Sequence, residues 1–64
     1  MNIVPTEVHD KDGNLTQIEF YDFAGNFIFQ AAWDDNDEQT SENREAFRKW
    51  ADRMAKQLGY EVSR

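Results

Sequence analysis

Few residues in this chain could carry catalytic chemistry, and the most direct candidate is one pair, His9 and Asp10. A histidine beside a carboxylate can act as an oriented general base. Adjacent residues of a strand point to opposite faces, however, so the two could not easily serve one substrate. His9 therefore reads as an ordinary solvent-facing histidine. The chain has no cysteine, no glycine-rich phosphate loop and no nucleophile elbow. An enzyme is not expected, and no catalytic residue, cofactor or metal is assigned.

A second spacing points to cation chemistry. Asp34, Asn36, Glu38 and Glu45 stand at the first, third, fifth and twelfth places of a calcium-binding loop. Such a loop turns sharply on a glycine at its sixth place, where this chain has Gln39. Carboxylates ahead of a helix also complement the positive end of its dipole, and that simpler role is preferred. A third cluster, Arg44, Arg48, Lys49, Arg53 and Lys56, could form a basic helix for nucleic acid. Glu45 and Asp52 precede Lys49 and Lys56 by four residues, the spacing of a solvated helix surface. The sheet face that would have to approach nucleic acid would show Glu7, Gln17, Glu19 and Gln30, which disfavours that partner.

The elements that position these residues follow from turn signals and periodicity. Asp12-Gly13 separates two alternating stretches, Val4 to His9 and Leu15 to Asp22, as a hairpin would. A two-residue loop would set Val8 against Gln17 and Thr6 against Glu19, mixing apolar and charged groups. A three-residue loop, Lys11-Asp12-Gly13 with Gly13 left-handed, sets Val4, Thr6 and Val8 against Phe20, Ile18 and Thr16 and makes one apolar face. A second turn centred on Ala24-Gly25-Asn26, with a loop of even length, adds Phe27, Phe29, Ala31 and Trp33 to that face. The opposite face then exposes Ile3, Leu15, Tyr21, Ile28 and Ala32, with Tyr21 and Ile28 as direct cross-strand partners.

Beyond the polar run 34–39, Thr40 or Ser41 caps a helix in which Phe47, Trp50, Ala51, Met54, Ala55 and Leu58 recur at spacings of three and four. Gly59 ends it, Tyr60 folds back on Met54 or Ala55, and Val62 returns to the sheet edge. No internal repeat or linker is expected. The fold class is α+β, a three-stranded antiparallel meander packed against one C-terminal helix (β-β-β-α), with residues 1–64 as a single small acidic domain. Phe20, Phe27, Phe29, Trp33, Phe47 and Trp50 are the large side chains expected to carry its core.

Composition bounds the partners. Thirteen acidic residues face seven basic ones for a net charge of -6, and the excess is uneven. Residues 1–40 hold nine carboxylates and one lysine, a sum of -8, whereas residues 41–64 sum to +2. A negative field repels phosphate, so neither nucleic acid nor an anionic membrane is an expected partner. The absence of cysteine fits a reducing cytoplasm. The start shows no leader pattern, and no stretch is apolar enough to span a bilayer. A short acidic chain beginning at methionine resembles, in general character, the small accessory proteins of phages and other mobile elements.

The expected function is that of a non-enzymatic binding protein that docks on a larger macromolecule and modulates or inhibits it. Its protein partner would have a basic surface. Contact is expected through Asp34, Asp35, Asp37 and Glu38, and through an outer-face patch of Leu15, Glu19, Tyr21 and Ile28. Two alternatives are a nucleic-acid mimic that blocks a DNA- or RNA-binding protein, and a homo-oligomeric structural protein, in its simplest form a homodimer, that associates through the outer sheet face.

Overall fold

The computed structural model describes residues 1–63. Three strands, β1 (Asn2–His9), β2 (Leu15–Tyr21) and β3 (Phe27–Ala32), precede one helix, α1 (Ser41–Gln57), and a short strand, β4 (Glu61–Val62). The class is α+β, but the sheet has four strands in the order β3-β2-β1-β4. The first three are antiparallel, and β4 joins the outside of β1 in parallel. Val62 thus reaches the sheet edge, where Glu61 and Ser63 donate their N–H groups to the carbonyls of Met1 and Ile3 at 2.9 and 2.8 Å.

Two copies of one turn build the meander. In Asp10-Lys11-Asp12-Gly13-Asn14 and in Asp22-Phe23-Ala24-Gly25-Asn26, the glycine N–H donates to the aspartate carbonyl at 3.0 and 3.1 Å. The aspartate Oδ1 then accepts the N–H groups two and four residues on, at 2.8 to 3.0 Å. Both glycines have positive φ, 83° and 86°, a region that costs a side-chain-bearing residue about 1–2 kcal/mol. The three-residue Lys11-Asp12-Gly13 loop is as expected. The second loop, Phe23-Ala24-Gly25, also has three residues rather than an even number. The pair is moreover an internal repeat, with Asp-x-x-Gly-Asn recurring after twelve positions.

Each turn is followed by a β-bulge: the first overturns the expected β1–β2 register, whereas the second, added to a three-residue loop, restores the expected pairing of Phe20 with Phe29 and Ile18 with Ala31 and alters only the turn-proximal pairs. His9 pairs with Leu15 but Val8 pairs with Gln17, so Thr16 is an extra residue. Its hydroxyl donates to the Val8 carbonyl at 3.1 Å. Beyond this point Val4 faces Tyr21 and Thr6 faces Glu19, not Phe20 and Ile18. One inserted residue reverses the facing of a strand. Ile3 and Leu15, expected outside, are therefore fully buried, and Glu7 turns inward. In the second hairpin Tyr21 pairs with Phe27 and Phe20 with Phe29, leaving Ile28 as the extra residue. The expected Tyr21–Ile28 pair does not form, and Phe27 leaves the core face with 52% of its surface exposed.

One cluster of Ile3, Leu15, Ile18, Phe20, Ala31, Trp33, Phe47, Ala51 and Ala55 fills the space between sheet and helix. Phe20 stacks on Phe29 at 4.6 Å between ring centroids, and Phe29 on Tyr60 at 6.2 Å. The helix starts at Thr40, whose hydroxyl accepts the Asn43 N–H at 3.1 Å. It ends at Gly59 (φ 92°) with the Tyr60 N–H donating to Ala55 O and the Gly59 N–H to Lys56 O, a Schellman closure. The buried arc is narrower than the apolar spacing predicts. Phe47, Ala51 and Ala55 lie inside and Met54 packs beside them, whereas Trp50 is 45% exposed and Leu58 is also outside. Trp50 sits about 100° around the helix from Ala51, the middle of the covered arc.

Candidate partner-binding surface

The acidic run is an anchored loop. The Trp33 indole N–H donates to the Asp37 carbonyl at 3.2 Å, and the Asn43 amide donates to the Glu38 carbonyl at 2.9 Å. Within the loop, Asp34 accepts the Asp37 N–H on its carbonyl and the Asn36 N–H on its carboxylate. Gln39 completes the anchorage, because its side-chain amide pairs with both backbone groups of Leu15, accepting at 3.0 Å and donating at 2.9 Å. Apart from the Asp34 carboxylate, which accepts the Asn36 N–H, these bonds use backbone and side-chain amide groups, and Asp34, Asp35, Asp37 and Glu38 are all exposed. Among the described residues, no three histidine or carboxylate groups converge as metal ligands would.

Beside this loop lies a groove of about 380 Å³, lined by the aromatic rings of Trp33, Phe47 and Trp50 together with Asp34 and Asp37. Trp33 and Phe47 meet edge to face at 5.1 Å, and Phe47 and Trp50 lie at 5.9 Å. Ala32, Asn43 and Ala46 complete the lining, so the groove runs between the end of β3 and the first half of α1. A smaller cleft of about 190 Å³ has Asp10, Asp35 and Asp37 in its lining. Carboxylates from the first turn and from the acidic run thus share one surface, although 25 positions separate Asp10 from Asp35.

The outer sheet face differs from the expected patch. Leu15 is buried and cannot touch a partner, and Ile28 is half-buried against the core. Tyr21 and Glu19 do lie on this face, where the Tyr21 hydroxyl donates to Glu19 Oε1 at 2.8 Å. That bond to a carboxylate raises the Tyr21 hydroxyl above its ordinary pKa. Gln17 donates to Glu19 Oε2 at 2.7 Å, so the Glu19 carboxylate is occupied on both oxygens. The apolar neighbours of Tyr21 are Val4 and Phe27, whose ring meets it edge to face at 5.9 Å. Phe23 at the turn tip is 71% exposed.

His9 ends β1 and Asp10 opens the turn, and the two have different hydrogen-bonding and ionic partners. Asp10 holds the first turn, while His9 Nε2 approaches Glu7 Oε1 at 3.6 Å. Arg48 takes the same Glu7 carboxylate in a two-pronged contact at 2.6 and 3.1 Å, and also reaches Glu45 at 3.7 Å. Arg44 donates to Gln39 and to the Gly13 carbonyl. Two cations of the basic cluster are thus used within the fold. Sequence reasoning missed the groove because it assigned Trp50 to the core. Comparison of the chain with protein-family models, with curated proteins and with solved structures finds no match in any of the three.

Proposed function

We propose that this chain is a non-enzymatic acidic binding module that docks on a basic face of a larger protein and modulates or inhibits it. The observation that carries the reading is the anchored 34–38 loop, which holds four exposed carboxylates beside an aromatic groove. Isolated helix-dipole compensation would not require Trp33, Gln39 and Asn43 to hold the loop in place. A preordered acidic surface raises encounter rates with a cationic partner and loses less entropy on binding than a free tail.

Association with a partner captured from cell extract should slow steeply between low salt and about 0.5 M salt, since screening at that strength acts within a few ångströms. The variant Asp34→Asn, Asp35→Asn, Asp37→Asn, Glu38→Gln should associate more slowly at low salt, with little change in melting temperature. Equal rates for parent and variant at both salt concentrations would overturn the acidic docking reading. A second reading, self-association through the outer face, is favoured by the exposure of Phe27 beside Tyr21 and of Phe23 in the adjoining turn. Sedimentation of the parent and of Phe27→Lys decides it: a dimer lost in the variant supports it, and a monomeric parent removes it.

A further inference from the structure

The two edges of the sheet are unlike. At one edge β4 is only two residues long and is backed by the helix end. At the other edge, β3 pairs with β2 alone among the described residues. The Trp33 N–H donates inward to the Thr16 carbonyl at 3.0 Å. Alternation along an antiparallel strand then turns the N–H and C=O groups of Gln30 and Ala32 away from β2. Native edge strands are commonly guarded by lysine, proline, inward-pointing charge or a bulge. Phe27-Ile28-Phe29-Gln30-Ala31-Ala32 holds no charge and no proline, and its bulge lies at the far end, at Ile28. The open half, Gln30 to Ala32, ends at Ala32, which lines the aromatic groove with Trp33.

We infer that β3 takes up an extended basic segment of a protein partner as an added strand, with alternate side chains entering the groove between β3 and α1. The inference rests on the docking reading above and specifies its mode. A strand added at the usual spacing of about 4.8 Å would place every second side chain on the helix side of the sheet. There it would meet Trp33, Phe47 and Trp50, with Asp34 and Asp37 in the same lining. Aromatic faces flanked by carboxylates suit a lysine or arginine whose apolar stem lies on the rings. Charge selects this occupant over a second copy of the chain, which would bring another net -6 to the same edge.

The probe is a blocked peptide of alternating lysine and valine, about seven residues long, titrated into the intact chain and followed by amide and indole NMR. The expected result is a shift of the Gln30 and Ala32 amides and of the Trp33 and Trp50 indoles, with slowed exchange of the two amides. Methylating alternate peptide nitrogens keeps charge and side chains but removes strand hydrogen bonds, and should weaken binding about tenfold or more. Ala32→Pro, which removes one outward N–H at a position where an edge strand tolerates proline, should act in the same direction with an unchanged melting temperature. Equal binding of the methylated peptide, with shifts confined to residues 34–38, would overturn strand addition while leaving acidic docking intact. Shifts of the β3 amides that grow with protein concentration alone, with a doubled mass, would assign the edge to a second copy and overturn the basic segment. No binding of either peptide also overturns the inference, whereas the docking reading stands or falls on the association rates of the neutralised variant.

Discussion

Phe20 and Trp50 show how much one side chain's surroundings decide its role. Phe20 is wholly buried and stacked on Phe29, so truncation removes a ring from a filled space. Phe20→Ala is expected to cost about 3–5 kcal/mol, enough to leave a domain of this size largely unfolded. Trp50 has the larger ring but keeps close to half of its surface in water. Trp50→Ala should cost only about 1–2 kcal/mol, well under the range for a buried tryptophan. Chemical denaturation of the two variants checks the order. A Trp50→Ala variant as unstable as Phe20→Ala would place Trp50 in the core and remove the groove. Gln39 makes the same point for a polar group, since its amide serves the backbone of Leu15 in place of a neighbouring strand.

At the scale of elements, the two Asp-x-x-Gly-Asn turns are the units from which the sheet is made. The carboxyls of Asp10 and Asp22 are both held below the ordinary aspartate pKa, chiefly by the backbone N–H groups of Asn14 and Asn26. A group whose folded pKa is depressed stabilises the fold above its unfolded value of about 3.9, and that contribution is lost as the pH falls through the folded value. The melting temperature of the parent should therefore drop below about pH 4. In Asp10→Asn with Asp22→Asn the amide oxygen still accepts from the backbone while the charge is gone. That variant should melt lower than the parent at pH 7 and show a flatter acid limb. Parallel curves from pH 7 to pH 2 would show that the turns do not depend on ionised aspartate.

For the whole molecule, the question is what holds one amphipathic helix on so small a sheet. Near its middle, Arg48 grips Glu7 of β1 across 41 sequence positions. At its end, the Tyr60 ring stacks on Phe29, and β4 returns to β1 with Val62 packed on the core. Both contacts close long loops, which is how a short chain gains cooperativity from few interactions. Glu7 and Arg48 are each 30% exposed at the side chain, so their coupling should exceed that of a fully solvated pair. A double-mutant cycle with Glu7→Gln and Arg48→Met is expected to give about 1 kcal/mol. A coupling indistinguishable from zero would mean that the helix is seated by its apolar arc alone.

Several features were determined by the sequence because their physics is local. Gly13 supplies a left-handed residue where only glycine is inexpensive, Thr40 caps the helix with its own hydroxyl, and Gly59 with Tyr60 closes it. The exposed carboxylates of residues 34–38 were legible for the same reason, since a polar run with no apolar period has nothing to bury. The bulges at Thr16 and Ile28 were not. Their trace is present in Leu15, Ile18 and Phe20, spaced three and then two apart, and in the twelve-residue recurrence of the turn. A strict alternation of faces passes over both signs. The consequence is non-local, because each extra residue reverses the facing of one side of the ladder relative to the other, sending Ile3 and Leu15 in and Phe27 out while Ile18, Phe20, Ala31 and Trp33 keep their places. The groove likewise depended on tertiary structure. An apolar stripe shows which residues could be buried, but the width of the sheet beneath the helix decides how much of that stripe is covered, and here Trp50 falls just beyond it.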